Sequence, residues 1–163
     1  MNVRRSIAAA AAVLLAAPAL SSCGVSFGAQ TDQVYNPSVG VDDRSGQVDV
    51  LNALIVSGTD GSGTVVATLV NNDQQTDDTL KGVSGAGKDA GMTVKPGGDT
   101  TIPAGGLLNL ATKGAVTIRG QRVVPGNFVT ITFSFDRAQS VTLDVPVVSH
   151  SNPDYAGVKV PSA

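Results

Sequence analysis

From Val129 to Phe135 the chain reads Val, Thr, Ile, Thr, Phe, Ser, Phe, and from Val141 to Val147 it reads Val, Thr, Leu, Asp, Val, Pro, Val. A period of two puts the apolar side chains on one face of a strand and the polar ones on the other. Only Asp136 to Ser140 separates the two runs, which suits a hairpin loop. The same reading extends toward the N-terminus. Val48, Val50 and the apolar run Leu51 to Val56 predict a strand from Gln47, and Ser57 to Gly63 with its Asp60-Gly61 pair predicts a turn. Thr64 to Val70 is the partner strand of that hairpin. Asn71 to Thr79 is polar throughout and reads as a loop. Shorter extended pieces follow at Leu80–Ser84, Met92–Lys95, Leu107–Leu110 and Ala115–Ile118, divided by glycine- and proline-bearing turns. Seven to nine short strands at this spacing predict an all-β, immunoglobulin-like sandwich of two antiparallel sheets. With four Phe and no Trp, its core is filled mainly by Val, Leu, Ile and Ala.

The N-terminus follows a different pattern. Arg4 and Arg5 precede an unbroken apolar run from Ala8 to Ala17, and Leu20-Ser21-Ser22-Cys23 follows. A charged start and a short apolar run make a secretory signal, and this run falls short of the ~20 residues that span a bilayer. Its end matches the lipobox of bacterial lipoproteins. That resemblance implies cleavage before Cys23 and a thioether-linked diacylglycerol with acyl lipid on that residue, the expected cofactor-like group and the only one. Two or more chains hold a protein stably on a membrane. The expected domains are therefore a signal peptide at 1–22, a lipidated Cys23 with a tether to residue 46, a sandwich at 47–148 and a tail at 149–163. The expected location is the extracytoplasmic face of the cell membrane. Arg4-Arg5 leaves export by the twin-arginine route open.

Charge and cysteine usage narrow the function. Cys23 is the only cysteine, so no disulfide braces the domain. All thirteen acidic residues are Asp, against eleven basic residues that fall to nine without Arg4 and Arg5, a net charge near −4 for the mature chain. Nucleic acid is excluded as a partner on that balance.

Several segments in order, V-V-A-T-L-V-N-N-D-Q-Q-T-D-D-T-L-K-G-V-S, M-T-V-K-P, I-P-A-G-G, R-V-V-P-G-N-F-V-T-I-T-F-S-F and S-V-T-L-D-V-P-V, resemble the PCuAC periplasmic copper chaperones over roughly Val65 to Val147. The resemblance implies a cupredoxin-like β-sandwich and a copper(I) site of two His and two Met, with a His-x-Met pair after the I-P-A-G-G element. Thioether and imidazole suit a soft cation. Here the matching positions carry Val83, Val94, Val116 and Ile118, hydrocarbon with no lone pair. Between Cys23 and Ser149 there is no His and one Met, Met92, so no shift of register restores the family's set. No metal is expected. The four aliphatic positions, flanked by Arg119 and Arg122, are a candidate contact patch, with plain core filling as the alternative.

Other chemistry is thin. Gly82 to Lys88 carries the glycine and lysine spacing of a phosphate loop, but Asp89 stands where a magnesium-binding hydroxyl belongs and no helix can follow. Asp73, Asp77 and Asp78 with Asn71 and Asn72 offer oxygen ligands without the spacing of a calcium loop. Met92 and His150 are the only soft or imidazole groups left; the first reads as a gap filler and the second as solvated. No G-x-S-x-G elbow is present and His150 is the sole imidazole base, so an enzyme is not expected. The sequence therefore reads as an envelope lipoprotein acting as a non-catalytic binding or adaptor protein, its partner another envelope protein. A copper metallochaperone serving copper homeostasis or oxidase assembly is the alternative.

Overall fold

The computed structural model describes residues 39–58, 60–95, 97–112 and 116–161, all within one compact unit, Ser38–Ala163. The signal peptide, Cys23 and the tether as far as residue 38 lie outside the described residues. Among the described residues ten strands run in chain order: β1 (Val41–Asp43), β2 (Val48–Ser57), β3 (Ser62–Asn71), β4 (Asp78–Gly85), β5 (Thr93–Lys95), β6 (Thr101–Ile102), β7 (Leu107–Asn109), β8 (Val116–Arg119), β9 (Phe128–Phe135) and β10 (Val141–Ser149). They form a curled sheet in the order β5-β8-β3-β2-β10-β9-β4-β6, with β1 beside β2 and β7 beside β3. The curl brings β4 and β5 back into contact, and the result is a cupredoxin-like β-sandwich.

Both hairpins read from the alternation are present. β2 and β3 pair antiparallel, with Val56 opposite Thr64, and β9 and β10 pair from Val141/Phe133 to Pro146/Phe128. One pairing departs from the all-antiparallel expectation: Val147 to Ser149 of β10 run parallel to Ile55 to Ser57 of β2. No tight turn constrains strands so far apart in the chain, and a parallel neighbour only needs a long connection. Pro146, which has no N–H to give a ladder, sits where β10 leaves β9 and joins β2. A second departure is β1, which lies inside the segment read as tether.

Residue parity fixes the core, and bulges reset the parity. In β2 the core residues are Val48 and Val50, then Ala53 and Ile55. The shift from even to odd positions occurs at an irregularity between Leu51 and Leu54, where Asn52 takes φ 50°. An extra residue in one strand turns everything beyond it to the other face. Asn52 is held there from β1: its N–H donates to Asp42 Oδ1 at 2.7 Å, and its own Oδ1 accepts from the Gly40 amide at 3.0 Å. Beyond the bulge Leu54 and Val56 point away from the core, yet both are fully buried. The C-terminal segment crosses that face. Thr64 Oγ1 donates to the Lys159 carbonyl at 2.7 Å, and Ser62 Oγ donates to the Pro161 carbonyl at 3.3 Å. The segment read as a tail is therefore a strap over the β2–β3 hairpin.

Candidate functional site

Val83, Val94, Val116 and Ile118 come together in the fold. Val94 pairs directly with Ile118, Val116 pairs with Val65, and Val83 lies on β4 opposite Phe133. Val116 and Ile118 are 1% exposed and Val83 is 7%, and Val94 packs partly buried against the same cluster. A contact patch needs area that a partner can cover, and three of these four side chains have almost none. They are core, and the accessible chemistry lies beside them.

That chemistry begins one residue past the strand pairing of β5 and β8. Thr93 pairs with Arg119, which brings Met92 next to Gly120. Gly120 has no Cβ where one would stand 2.6 Å from Met92 Cγ, and a Cβ on Gly85 would stand 2.9 Å from Met92 Cε. The thioether side chain thus passes two positions that only glycine leaves open. It packs against the core on one side and lines a cleft on the other. The cleft has a volume of about 310 Å³ and is lined by Lys88, Asp89, Met92, Gly120, Gln121 and Arg122.

Asp89 is the anchor of this cleft. The chain leaves β4 at Gly85, tightens into a single 3-10 turn over Gly87–Asp89, and buries Asp89 to 3% exposure. Its Oδ2 accepts from the Thr130 amide at 3.0 Å, which ties the turn to β9. Its Oδ1 lies 3.1 Å from Arg122 Nε. That N–H is not aligned on the oxygen and Nε is buried, so the contact is an ion pair without a full hydrogen bond. One Nη of Arg122 donates to the Phe128 carbonyl at 2.8 Å. The guanidinium is thereby held between a buried carboxylate and a strand end, while its side chain stays 40% exposed at the cleft. Lys88, the lysine of the phosphate-loop-like run, also faces this cleft. The segment there is one 3-10 turn, with no helix following. Arg119 points elsewhere, toward Asp60 at 3.9 Å.

The acidic loop after β3 is built from the inside. Asn71 Nδ2 donates to the carbonyls of Thr76 and Ile102, Asp73 Oδ1 accepts from the Gln75 amide, and Asp77 Oδ1 accepts from the Ala104 amide. Asp78, read from sequence as part of a solvated loop, opens β4 and is 5% exposed. Its Oδ1 accepts from the amides of Thr79 at 2.6 Å, Asp136 at 3.2 Å and Arg137 at 3.1 Å, and its Oδ2 from Ala138 at 2.9 Å. Burial alone would raise its pKa; the amides of Thr79, Ala138, Arg137 and Asp136 outweigh that and hold it below the usual Asp value. The Asp78 carboxylate closes the β9–β10 loop onto β4. No group of three or more His, Cys, Asp or Glu among the described residues is placed to hold a metal ion.

His150 is half-buried just past β10, where its amide donates to the Ser57 carbonyl at 3.0 Å. Met92 precedes β5, at the far side of β8, β3 and β2 from β10. The two residues lie on strands that are not neighbours in the sheet order. Asp89 carried no signal in the sequence beyond its failure to fit a phosphate loop. Its partner Arg122 lies too far along the chain for any local spacing to reveal the pair.

No protein-family model and no curated protein sequence matches the chain. Solved structures do. An apo PCuAC domain from PmoF1 superposes with a TM-score of 0.56 at 20% identity, covering 67% of this chain and 99% of that domain. A copper-bound PCuAC domain from PmoF2 gives 0.55 at 16% identity, over 67% and 98%. The apo PmoF2 domain gives 0.54 at 18% identity, over 68% and 97%. Likeness at this identity is one of backbone path, and it runs nearly the whole length of each neighbour: the sandwich of this chain is a PCuAC-like fold.

Proposed function

We propose that this protein is a lipid-anchored envelope protein whose PCuAC-like domain binds a partner without catalysing a reaction. The observation that carries this reading is the donor inventory. Copper(I) is held by several thioether and imidazole groups converging on one point. The described residues offer one of each, Met92 before β5 and His150 after β10, on strands that are not neighbours in the sheet order. Val83, Val94, Val116 and Ile118, which the family resemblance aligns with the ligands, are hydrocarbon in or against the core. What the fold leaves accessible beside them is the cleft of Asp89 and Arg122, a binding feature without a nucleophile–base pair. The anchor rests on the Leu20-Ser21-Ser22-Cys23 sequence. No described helix is long and apolar enough to cross a membrane.

The copper-bound state of the PmoF2 domain favours one competing reading, a metallochaperone acting in copper homeostasis or oxidase assembly. Titration of the full chain with copper(I) against a competing chelator separates the two. The adaptor reading expects no tight one-to-one complex. Stoichiometric binding that Met92→Ala or His150→Ala abolishes would replace it with the chaperone reading. For the anchor, the mass of the mature chain is expected to exceed that of residues 23–163 by its lipid, with the added mass on Cys23. A mature chain with an unmodified Cys23 would refute lipidation there.

A further inference from the structure

The cleft beside Met92 has a charge pattern that selects a ligand class. Its one acid, Asp89, is committed on both oxygens, to the Thr130 amide and to Arg122, and it is almost completely withdrawn from solvent. Its two bases are not so committed. Lys88 forms no ion pair or hydrogen bond among the described residues, and the guanidinium of Arg122 is engaged only through Nε and one Nη. The other Nη keeps its donors for the cleft. A guanidinium fixed on one edge and open on the other is preorganised for a two-oxygen anion, because the rotamer cost has already been met by Asp89 and the Phe128 carbonyl. The remaining wall is Met92, an adaptable apolar surface, with Gln121, Gly91 and Gly120 beside it. A volume of about 310 Å³ lies at the small end of the range for ligand pockets.

We propose that this cleft binds the carboxylate of a small organic acid, with Arg122 and Lys88 on the oxygens and Met92 against a short hydrocarbon portion. Inorganic phosphate satisfies the bases but leaves Met92 uncovered, and a neutral amide covers Met92 but leaves the bases unpaired. The inference gives the binding reading a ligand. The two fail separately, since the copper titration does not depend on whether a carboxylate binds.

The test follows the Met92 methyl and the Arg122 Nε–H resonances of the full chain in neutral detergent. The probes are 4-methylpentanoate, acetate, inorganic phosphate and 4-methylpentanamide. Saturable shifts at both groups are expected with 4-methylpentanoate. Affinity should exceed that for acetate at least tenfold, since each buried CH₂ is worth up to about fourfold. Lys88→Gln, at an exposed position, should weaken binding by about fivefold, the scale of one partly exposed charge pair. Arg122→Lys keeps the charge for Asp89 but loses the fork, and should weaken binding by about tenfold or more. The Thr130 amide resonance reports whether that variant keeps its fold; if it does not, Lys88→Gln decides alone. Absence of saturation overturns the proposal, as does phosphate or the amide binding as tightly as the acid, or Lys88→Gln leaving the affinity unchanged.

Discussion

Replacing Asp78 tests whether a buried carboxylate holds the β9–β10 loop on β4. Four backbone amides converge on it, and Asp136 N–H alone keeps a second acceptor, the Thr79 carbonyl at 2.9 Å. Asp78→Ala therefore strands three donors, those of Thr79, Arg137 and Ala138. A hydrogen bond to a charged group contributes about 1.5–3 kcal/mol, but Arg137 is exposed and water will replace part of its bond. The expected loss is about 3 kcal/mol. Asp78→Asn should recover less than half of it, because its NH₂ must face a donor, either Ala138 N–H or the three amides at Oδ1. The pH dependence carries a fixed sign. A carboxyl whose folded pKa lies below its unfolded value stabilises fully above the unfolded pKa, about 3.9, and loses that contribution as pH falls through the folded pKa. Urea unfolding followed by far-UV circular dichroism should show a constant gap between wild type and Asp78→Ala from pH 5 to 8. The gap should close below pH 4. A difference under 1 kcal/mol at pH 7, or a gap that widens on acidification, refutes the account.

Three further outcomes follow from the same geometry. Asp89→Ala removes the acceptor of Thr130 N–H and the counter-charge of a half-buried arginine, and should cost about 2–3 kcal/mol in urea unfolding, with the Thr130 amide losing exchange protection. Gly85→Ala should destabilise by more than 2 kcal/mol, because the added methyl meets the Asp89 carbonyl of the backbone. Gly120→Ala should cost about 1 kcal/mol, since its methyl meets only the flexible Met92 side chain; equal losses would refute the distinction. Ending the chain at Ser151 removes the strap over Leu54 and Val56; a loss of about 2–4 kcal/mol and new binding of a hydrophobic dye are expected, and no dye binding would show that the strap does not cover that face.

The sheet was legible because alternation is a local signal. Val129 to Phe135 and Val141 to Val147 need only their own residues to declare which face is buried, and both do so in the structure. β2 was legible only in part. Leu51 to Val56 looks like a strand buried on both faces, and from Ala53 onward it is, but the sequence supplies neither cause: the Asn52 bulge that exchanges the faces, nor the strap, about a hundred residues later, that covers the outer one. Asp78 was misread for the same reason. A string of Asn, Asp, Gln and Thr has the composition of a solvated loop, and only the return of residues 136–138 turns one of its carboxylates into a buried tie.

The four aliphatic positions serve the fold. Val94 and Ile118 are a cross-strand pair, Val116 lies beside Val65, and Val83 stands against Phe133, so each now contributes burial to the sandwich. A polar group placed at Val83, Val116 or Ile118 enters a site with almost no water and must find a partner there or destabilise the fold. Ile118→His should therefore cost several kcal/mol, with the imidazole held neutral by its surroundings. Met92, partly buried against the core, lines a cleft whose other side chains are Lys88, Asp89, Gln121 and Arg122. The chemistry accessible at this end of the sheet is that of fixed positive charge beside a thioether, and charge of that kind selects an anion.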